Sequence, residues 1–510
     1  MVDKDLLIKE GEDTFALKAR HLDIKTGHPW VVIINEIDSK TYGIHAGDEI
    51  IISWDGHQTQ VSVDLTKDLI QSGEIGLFTD IIEKLAIKEG DILKVKLAPL
   101  APSLTSIQKK LLNQPLTYNE IKSLITDIVN YRLDDVQIAF FIASAFSPHG
   151  FSNEEIYYLT KAIAETGEMF YWDGVVADKH SIGGVPGNRT TPIVVSLISS
   201  LGIKIPKTSS RAITSEAGTA DVIEAVSPVE FTSEEIKKIV NETNGCLVWG
   251  GALKLAPADD RILRVSYELG IEPYSKMIIS IMAKKVAMGA THLVIDMPMG
   301  PGLKVTKKED AIQIQKIFEY LAQRFNIKIK IINDYLPGPV GRGIGPNLEI
   351  QDILKVLMQD ESRPLDLEKR AVRLASALIE LINKVSPKEA EKIIYHQLQT
   401  KAALNQFRKI IEAQGGIPNL SLEKIKLGEI TYEVKSKKSG VVKSIDNQML
   451  IRLARLLGSP VTKEAGVYLN KTLGEEVNVN STLCTLYTTS ESRLKLALSE
   501  LLKKDLYQIG

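Results

Sequence analysis

Residues 179–201, KHSIGGVPGNRTTPIVVSLISSL, set a lysine, a serine and three glycines directly before an apolar run of helical length. Gly183, Gly184 and Gly187 allow successive backbone N–H groups to converge, and a helix that follows adds the positive end of its dipole. Lys179 supplies a point charge, and Ser181, Thr190 and Thr191 supply hydroxyl donors. Glycine is also common in a plain strand-to-helix turn, but the lysine, the serine and the paired threonines favour an anion site. The usual phosphate loops do not fit. Counted from Gly183, the second glycine of a P-loop falls on Asn188, and no G-x-G-x-x-G follows. The segment GRGIGP (341–346) begins like a dinucleotide fingerprint and then places Pro346 where the last glycine belongs. The loop therefore reads as the holder of a free anion, not of ATP or a dinucleotide.

Outward from this loop, strand and helix patterns alternate. IKIPKTSSRAITSEAGTADVIEAV (203–226) runs from a short strand through a polar loop into a helix, and HLVIDMPMGPG and IKIKIINDYLPGPVGRGIG are strands ending in glycine-rich loops. Strand, loop, helix in that order predicts an α/β domain, with ligands at the carboxyl ends of the strands. Its second polar loop, 208–221, carries Ser209, Ser210, Arg211, Thr214, Ser215 and Thr219. A helix cap explains one of these hydroxyls, whereas an arginine among so many points to a second anion or sugar contact. In GIEPYSKMIISIMAKK, Ser280 and Lys284 share a helical face, and the apolar flanks predict a buried helix, not a solvated one.

The rest of the chain divides around this domain. Residues 1–98 read as short β-branched strands, with GIHAGDEIII (43–52) and AIKEGDILKV (86–95) as one strand-turn unit used twice, which predicts a small pseudo-symmetric β-barrel. After the proline linker LAPLAPS, residues 103–170 predict a small helical domain, with Thr117 and Glu120 at capping-box spacing and Ile121, Leu124, Ile125 and Ile128 on one face. Residues 257–290 are helical again and are expected to rejoin it, interrupting an α/β domain of 173–425. Residues 430–510 read as a C-terminal α+β domain.

Composition narrows the function classes. The 510 residues are 44% hydrophobic and 25% charged, with a net charge of -2, and the pI is near 6.5. This length suits about three to four domains, and the charge disfavours a nucleic-acid binder. Two distant cysteines and eight scattered histidines form no disulfide framework and no metal motif. With no signal-peptide pattern and no apolar run of ~20 residues, the expectation is a soluble cytoplasmic protein with no membrane partner and no metal.

Five segments in one order carry a resemblance: DGVVADKHSIGGVPGN (173–188), TSSRAITSEAGTAD (208–221), NGCLVWGGALKLAPADD (244–260), SIMAKKVAMGATHLVIDMPMGPG (280–302) and GRGIGPNLE (341–349). Over about residues 120–510 the chain resembles the thymidine phosphorylase family (nucleoside phosphorylase family II). Its N-terminal extension matches the long form, which includes AMP phosphorylases and type-2 thymidine phosphorylases. The resemblance implies a small helical domain facing a larger α/β domain across a cleft, in a homodimer or larger homo-oligomer. It also implies phosphorolysis, in which inorganic phosphate as co-substrate displaces a base from a pentose, with no cofactor.

On that resemblance Lys179, Ser181, Gly183, Gly184, Thr191, Ser209 and Thr219 hold the phosphate, and His180 lies near the sugar. Ser280, Lys284 and Arg264 touch the base. In the AMP branch the stretch Ser210, Arg211, Ala212, Ile213, Thr214 and Ser215 lines the nucleotide site with Gly184, Thr219, Ser280 and Lys304, and an acid protonates the leaving base; here that position is Glu272. The short-form tyrosine is replaced by Arg261. Arg211 and Lys304 tip the expectation from a nucleoside such as thymidine to a 5'-nucleotide. An anthranilate-type phosphoribosyltransferase is the rival reading, with the ADD of 258–260 as its one candidate for magnesium.

Overall fold

The computed structural model describes residues 14–26, 30–144, 150–212, 215–253, 255–270, 273–417 and 419–510. The chain forms two compact units, 1–166 with 257–273, and 167–256 with 274–510.

In the first unit six strands close a barrel: β1 (Phe15–Leu22), β2 (Val31–Asn35), β3 (Glu49–Trp54), β4 (His57–Thr66), β5 (Glu74–Phe78) and β6 (Ile92–Leu97), in the order β1-β5-β2-β4-β3-β6. The repeated sequence unit is a repeated structure. Helices Glu36–Tyr42 and Thr79–Leu85 each end in a left-handed residue, Gly43 and Ala86. Each is followed by a turn closed by an aspartate, His45 N–H to Asp48 Oδ2 at 2.7 Å and Lys88 N–H to Asp91 Oδ2 at 2.8 Å. The chain then enters β3 or β6, and these two strands pair antiparallel. Parallel pairing of β1 with β5 and of β2 with β4 completes the internal symmetry.

The helices of this unit follow their local signals. Thr117 and Glu120 form the reciprocal capping box of helix Tyr118–Val129, whose Ile121, Leu124, Ile125 and Ile128 are fully buried. Ser152 and Glu155 cap helix Asn153–Glu165 in the same way, and Glu155 also takes a buried ion pair from Lys110 at 2.8 Å. Barrel and helices share one unit: Trp30 stacks on Tyr131, whose ring also carries the Arg261 guanidinium at 4.3 Å. The reading of 257–290 as one rejoining segment is too long. The first unit closes at Pro273, and helix Tyr274–Ala287 packs in the second, where the Ala287 carbonyl accepts from Phe170 N–H at 2.7 Å. Both helices of that segment have the same period, so periodicity did not separate them.

The second unit is built on parallel strands β7 (Ala177–Ser181), β8 (Ile205–Ser209), β9 (Gly245–Trp249), β10 (His292–Asp296) and β11 (Lys328–Ile332). β7, β10 and β11 form one sheet and β8 pairs with β9. Among the described residues one bridge, Val176 with Lys204, joins the two at their start, and Ala177 N–H donates to the Lys204 carbonyl at 2.8 Å. The spatial order is thus β9-β8-β7-β10-β11. Chain order runs outward from β7 to one side and then restarts at β10 on the other, so the topological switch point lies at the carboxyl ends of β7 and β10. Helix Thr190–Ser200, with Ile193, Val194, Val195, Leu197 and Ile198 fully buried, packs between this sheet and helices Leu365–Asn383 and Ala402–Ala413. Each such aliphatic side chain contributes about 1.5–3 kcal/mol on burial, which fixes the start of this helix relative to β7.

The C-terminal part is α+β, as expected. Strands Gly343–Ile344, Gly466–Leu469, Thr482–Thr488 and Ile430–Lys435 form one sheet, and helices Asn447–Leu457 and Glu491–Lys503 pack with it. Among the described residues no helix is long and apolar enough to cross a membrane.

Candidate active site

The switch point collects the chemistry. Alternation along β7 sends Asp178 and His180 to one face and Lys179 and Ser181 to the other. Lys179 is buried, and its Nζ donates to Thr190 Oγ1 at 2.9 Å and Thr191 Oγ1 at 3.3 Å, with Asp296 Oδ2 at 3.5 Å. The threonines open helix Thr190–Ser200, and Asp296 ends β10 opposite Ser181 in the register. Gly183 and Gly184 follow with φ of +89° and +92°, consecutive left-handed residues that a side chain would strain. Gly187 is left-handed as well, and a Cβ there would also stand 2.3 Å from the Val340 carbonyl. Ser181 Oγ is buried with no hydrogen-bond partner among the described residues. A buried hydroxyl left this way at a loop beside a lysine is an unfilled donor, which is what an oxyanion requires.

On the other face of β7, Asp178 Oδ2 accepts from Lys285 Nζ at 2.6 Å, and its Oδ1 is 3.6 Å from Lys207 Nζ. Burial, together with Lys285, Lys207, Lys179 and Lys284, drives the His180 imidazole well below its ordinary pKa, so His180 is neutral at pH 7. Burial also lowers Lys179 to about 8, against the pull of Asp296, and Lys207 to about 7, against that of Asp178. Three buried lysines, Lys179, Lys207 and Lys285, meet two carboxylates here, and one of these, Asp296, is also shared with Arg370. The excess is positive and partly dehydrated, the electrostatic condition for gripping an anion.

The other expected residues are dispersed more unevenly. Lys304 is exposed, but its backbone N lies 3.4 Å from where a Gly184 Cβ would stand, so the two belong to one locality. Ser280 is buried and Lys284 half-buried on helix Tyr274–Ala287, whose Tyr274 hydroxyl is 3.5 Å from the Lys304 carbonyl. In the 208–221 loop Ser209 Oγ donates to the Val248 carbonyl at 3.2 Å, Ser210 is exposed and Ser215 Oγ donates to the Ala217 carbonyl. Asp221 accepts from the N–H groups of Ala212 and Gly218, which ties the loop to Thr219 at the start of helix Thr219–Glu224. Arg211 is not turned out as an open cation. Its guanidinium makes two bonds to Glu224 at 2.7 and 2.6 Å and one to Glu230 at 3.0 Å, and lies over the Trp249 ring. Arg264 belongs to the first unit and pairs with Asp135 at 3.0 Å, while Arg261 there donates to the Ile128 and Leu133 carbonyls. Asp259 and Asp260 also lie in that unit, on helix Pro257–Leu269. Glu272, Ile213 and Thr214 fall outside the described residues.

Sequence reasoning passed over Asp178, Lys207, Lys285 and Asp296. The available signals were charged residues inside strands (DKHS, IPKTS) and one aspartate closing the otherwise apolar HLVID. It also passed over Arg189, whose guanidinium is held by Glu349, by Glu216 at 3.3 Å and by the Ala217 carbonyl at 2.8 Å, joining the two polar loops.

Comparison with known proteins identifies the family. Residues 105–167 match the helical bundle domain of a glycosyl transferase family, 173–317 match its a/b domain, and 441–507 match the pyrimidine nucleoside phosphorylase C-terminal domain. The chain is 40% identical to the AMP phosphorylase of Methanocaldococcus jannaschii over 97% of both chains. To that of Methanosarcina mazei it is 38% identical, over 95% of this chain and 94% of the relative. Among solved structures, anthranilate phosphoribosyltransferase from Thermus thermophilus superposes with a TM-score of 0.51 at 17% identity, covering 61% of this chain and 99% of that one. At that identity the likeness speaks for the fold alone. The chain belongs to the thymidine phosphorylase/AMP phosphorylase family and is a phosphorolytic pentosyltransferase.

Proposed function

We propose that this enzyme cleaves AMP with inorganic phosphate to give adenine and ribose 1,5-bisphosphate. The observation that carries the phosphate half is the Lys179–Thr190–Thr191 cluster at the switch point, beside a Ser181 hydroxyl with no partner among the described residues. The nucleotide half rests on likeness to AMP phosphorylases along nearly the whole chain.

A phosphate oxygen attacks C1' as the C1'–N9 bond breaks, and the bonding pair leaves with the base, which takes up a proton. The transition state is oxocarbenium-like, so a phosphate dianion held close beneath C1' stabilises it. Lys179, Ser181, Thr191 and the Gly183–Gly184 backbone orient that dianion, with Ser209 and Thr219 of the second loop beside it. His180, kept neutral by burial and the surrounding lysines, meets the sugar as a hydrogen-bonding group and not as a cation. Ser280 and Lys284 face the base, and the proton comes from an acid, the role that the family resemblance gives to Glu272. Lys304, beside Gly184, takes the 5'-phosphate. Arg211 is committed to Glu224 and Glu230 and does not grip the phosphate itself.

No cofactor enters this scheme, and the reading takes the enzyme as a cytoplasmic homodimer. The test is base release from AMP, CMP, UMP, thymidine, uridine and adenosine, with and without phosphate. Adenine from AMP only when phosphate is present is the expected result. Preference for thymidine would transfer the reading to the thymidine branch.

A further inference from the structure

The C-terminal domain has no role in the reaction as drawn, yet it holds the 208–221 loop and the Lys304 turn directly and reaches the 183–188 loop through the segment 340–344. The loop 183–188 leans on it at Gly187, packed on Val340, Gly343 and Ile344. Gly343–Ile344 is an edge strand of the C-terminal sheet, paired with Val467 and Tyr468. GRGIGP is therefore a seam: Arg342 of this segment donates to the Leu469 and Asn470 carbonyls at 3.2 and 3.1 Å. The loop 208–221 is held at two points, and the helix it enters at a third. Ser459 Oγ donates to the Glu216 carbonyl at 2.7 Å, and Lys463 Nζ donates to the Asp221 carbonyl at 3.1 Å and to Glu224 at 2.8 Å. Glu224 is the same carboxylate that fixes Arg211. The turn that carries Lys304 is held from the start of helix Asn447–Leu457, where Gln448 Nε2 donates to the Gly302 carbonyl at 2.8 Å and Asn447 to that of Pro301 at 3.4 Å.

One helix and the turn after it thus bridge two loops that are far apart in sequence. We infer that the C-terminal domain is a positioning element for the nucleotide, with Gln448 setting the Lys304 turn and Lys463 setting the 208–221 loop. Neither is a catalytic residue, since each acts through a backbone carbonyl or through Glu224. The inference rests on AMP as the substrate. Its chemistry is specific: both anchors are donors, so a side chain of similar size that cannot donate loses the hold without a change in packing.

The test measures KM for AMP, KM for phosphate, kcat and melting temperature in the full-length enzyme. Gln448 is exposed, so its substitution leaves the fold intact. Gln448→Glu should raise KM for AMP about fivefold, the worth of one lost hydrogen bond, and Lys463→Met, which loses two, at least as much. In Gln448→Glu, kcat and KM for phosphate should stay within about twofold. Gln448→Lys and Lys463→Arg, which keep a donor, should restore KM for AMP. The inference is overturned if KM for AMP is unchanged in both donor-less variants. It is equally overturned if kcat, both KM values and melting temperature worsen together and the donor-keeping variants do not rescue them. If the wild type cleaves a nucleoside and not AMP, the substrate reading fails, while the positioning role is still judged on KM for that nucleoside.

Discussion

Two loops of this enzyme look alike in sequence and differ in the folded chain. Each follows a strand, each carries a basic residue among hydroxyls, and each leads into a helix. At the end of β7, Lys179 meets two threonine hydroxyls and an aspartate it shares with Arg370. At the end of β8, Arg211 meets Glu224, Glu230 and Asp221, at 2.6, 3.0 and 3.5 Å. The first cation is under-compensated and buried, and the second is neutralised and part-exposed. A basic residue in a polar loop is therefore weak evidence for an anion site by itself; the balance of its partners decides.

Substitutions should separate the two loops in graded steps. Lys179→Ala should lower kcat/KM for phosphate by about a thousandfold, because an organised charge at the nucleophile is removed from a dehydrated site. Steady-state phosphorolysis measures it, and a circular dichroism spectrum like that of the wild type assigns the loss to the site. Ser181→Ala should cost about 10- to 100-fold in the same quantity, the worth of one hydrogen bond to a charged group. The pH dependence should follow the lysine. Lys179 is charged below its value of about 8 and loses its proton above it, so kcat/KM for phosphate should fall as pH rises past about 8, approaching tenfold per pH unit. A profile flat to about pH 9.5 would remove the Lys179 charge from the account. Arg211→Gln should have the smallest catalytic effect, within about threefold on kcat, with a stability loss of about 1 kcal/mol because its ion pairs are part-exposed. A thousandfold loss there would erase the distinction between the loops.

What could be read in advance was what local chemistry dictates. The paired GD turns of the barrel, the Thr117 cap and the Gly183–Gly184 turn each close within a few residues of one another. The site was half legible for the same reason. Lys179, Ser181 and the threonines are neighbours in sequence, whereas Asn188 reaches Asp296 across 108 residues and Lys285 reaches Asp178 across 107. Those partners are brought in by the register of β7 on β10 and by the packing of helix Tyr274–Ala287, which no local pattern encodes. Arg211 was misweighted for a related reason: the neutralising Glu224 and Glu230 lie in and beyond the next helix, and only its docking beside the loop aims them at the guanidinium. The strand order that makes the end of β7 a switch point was likewise a matter of tertiary pairing.

The central claim is that the β7 loop holds phosphate as the nucleophile. Phosphorus-31 NMR of the enzyme with AMP and inorganic phosphate tests it most directly. The account predicts a new sugar 1-phosphate resonance growing in step with free adenine, no adenine without phosphate, and neither in Lys179→Ala. Adenine released at the same rate without phosphate, with ribose 5-phosphate as the sole sugar product, would contradict it.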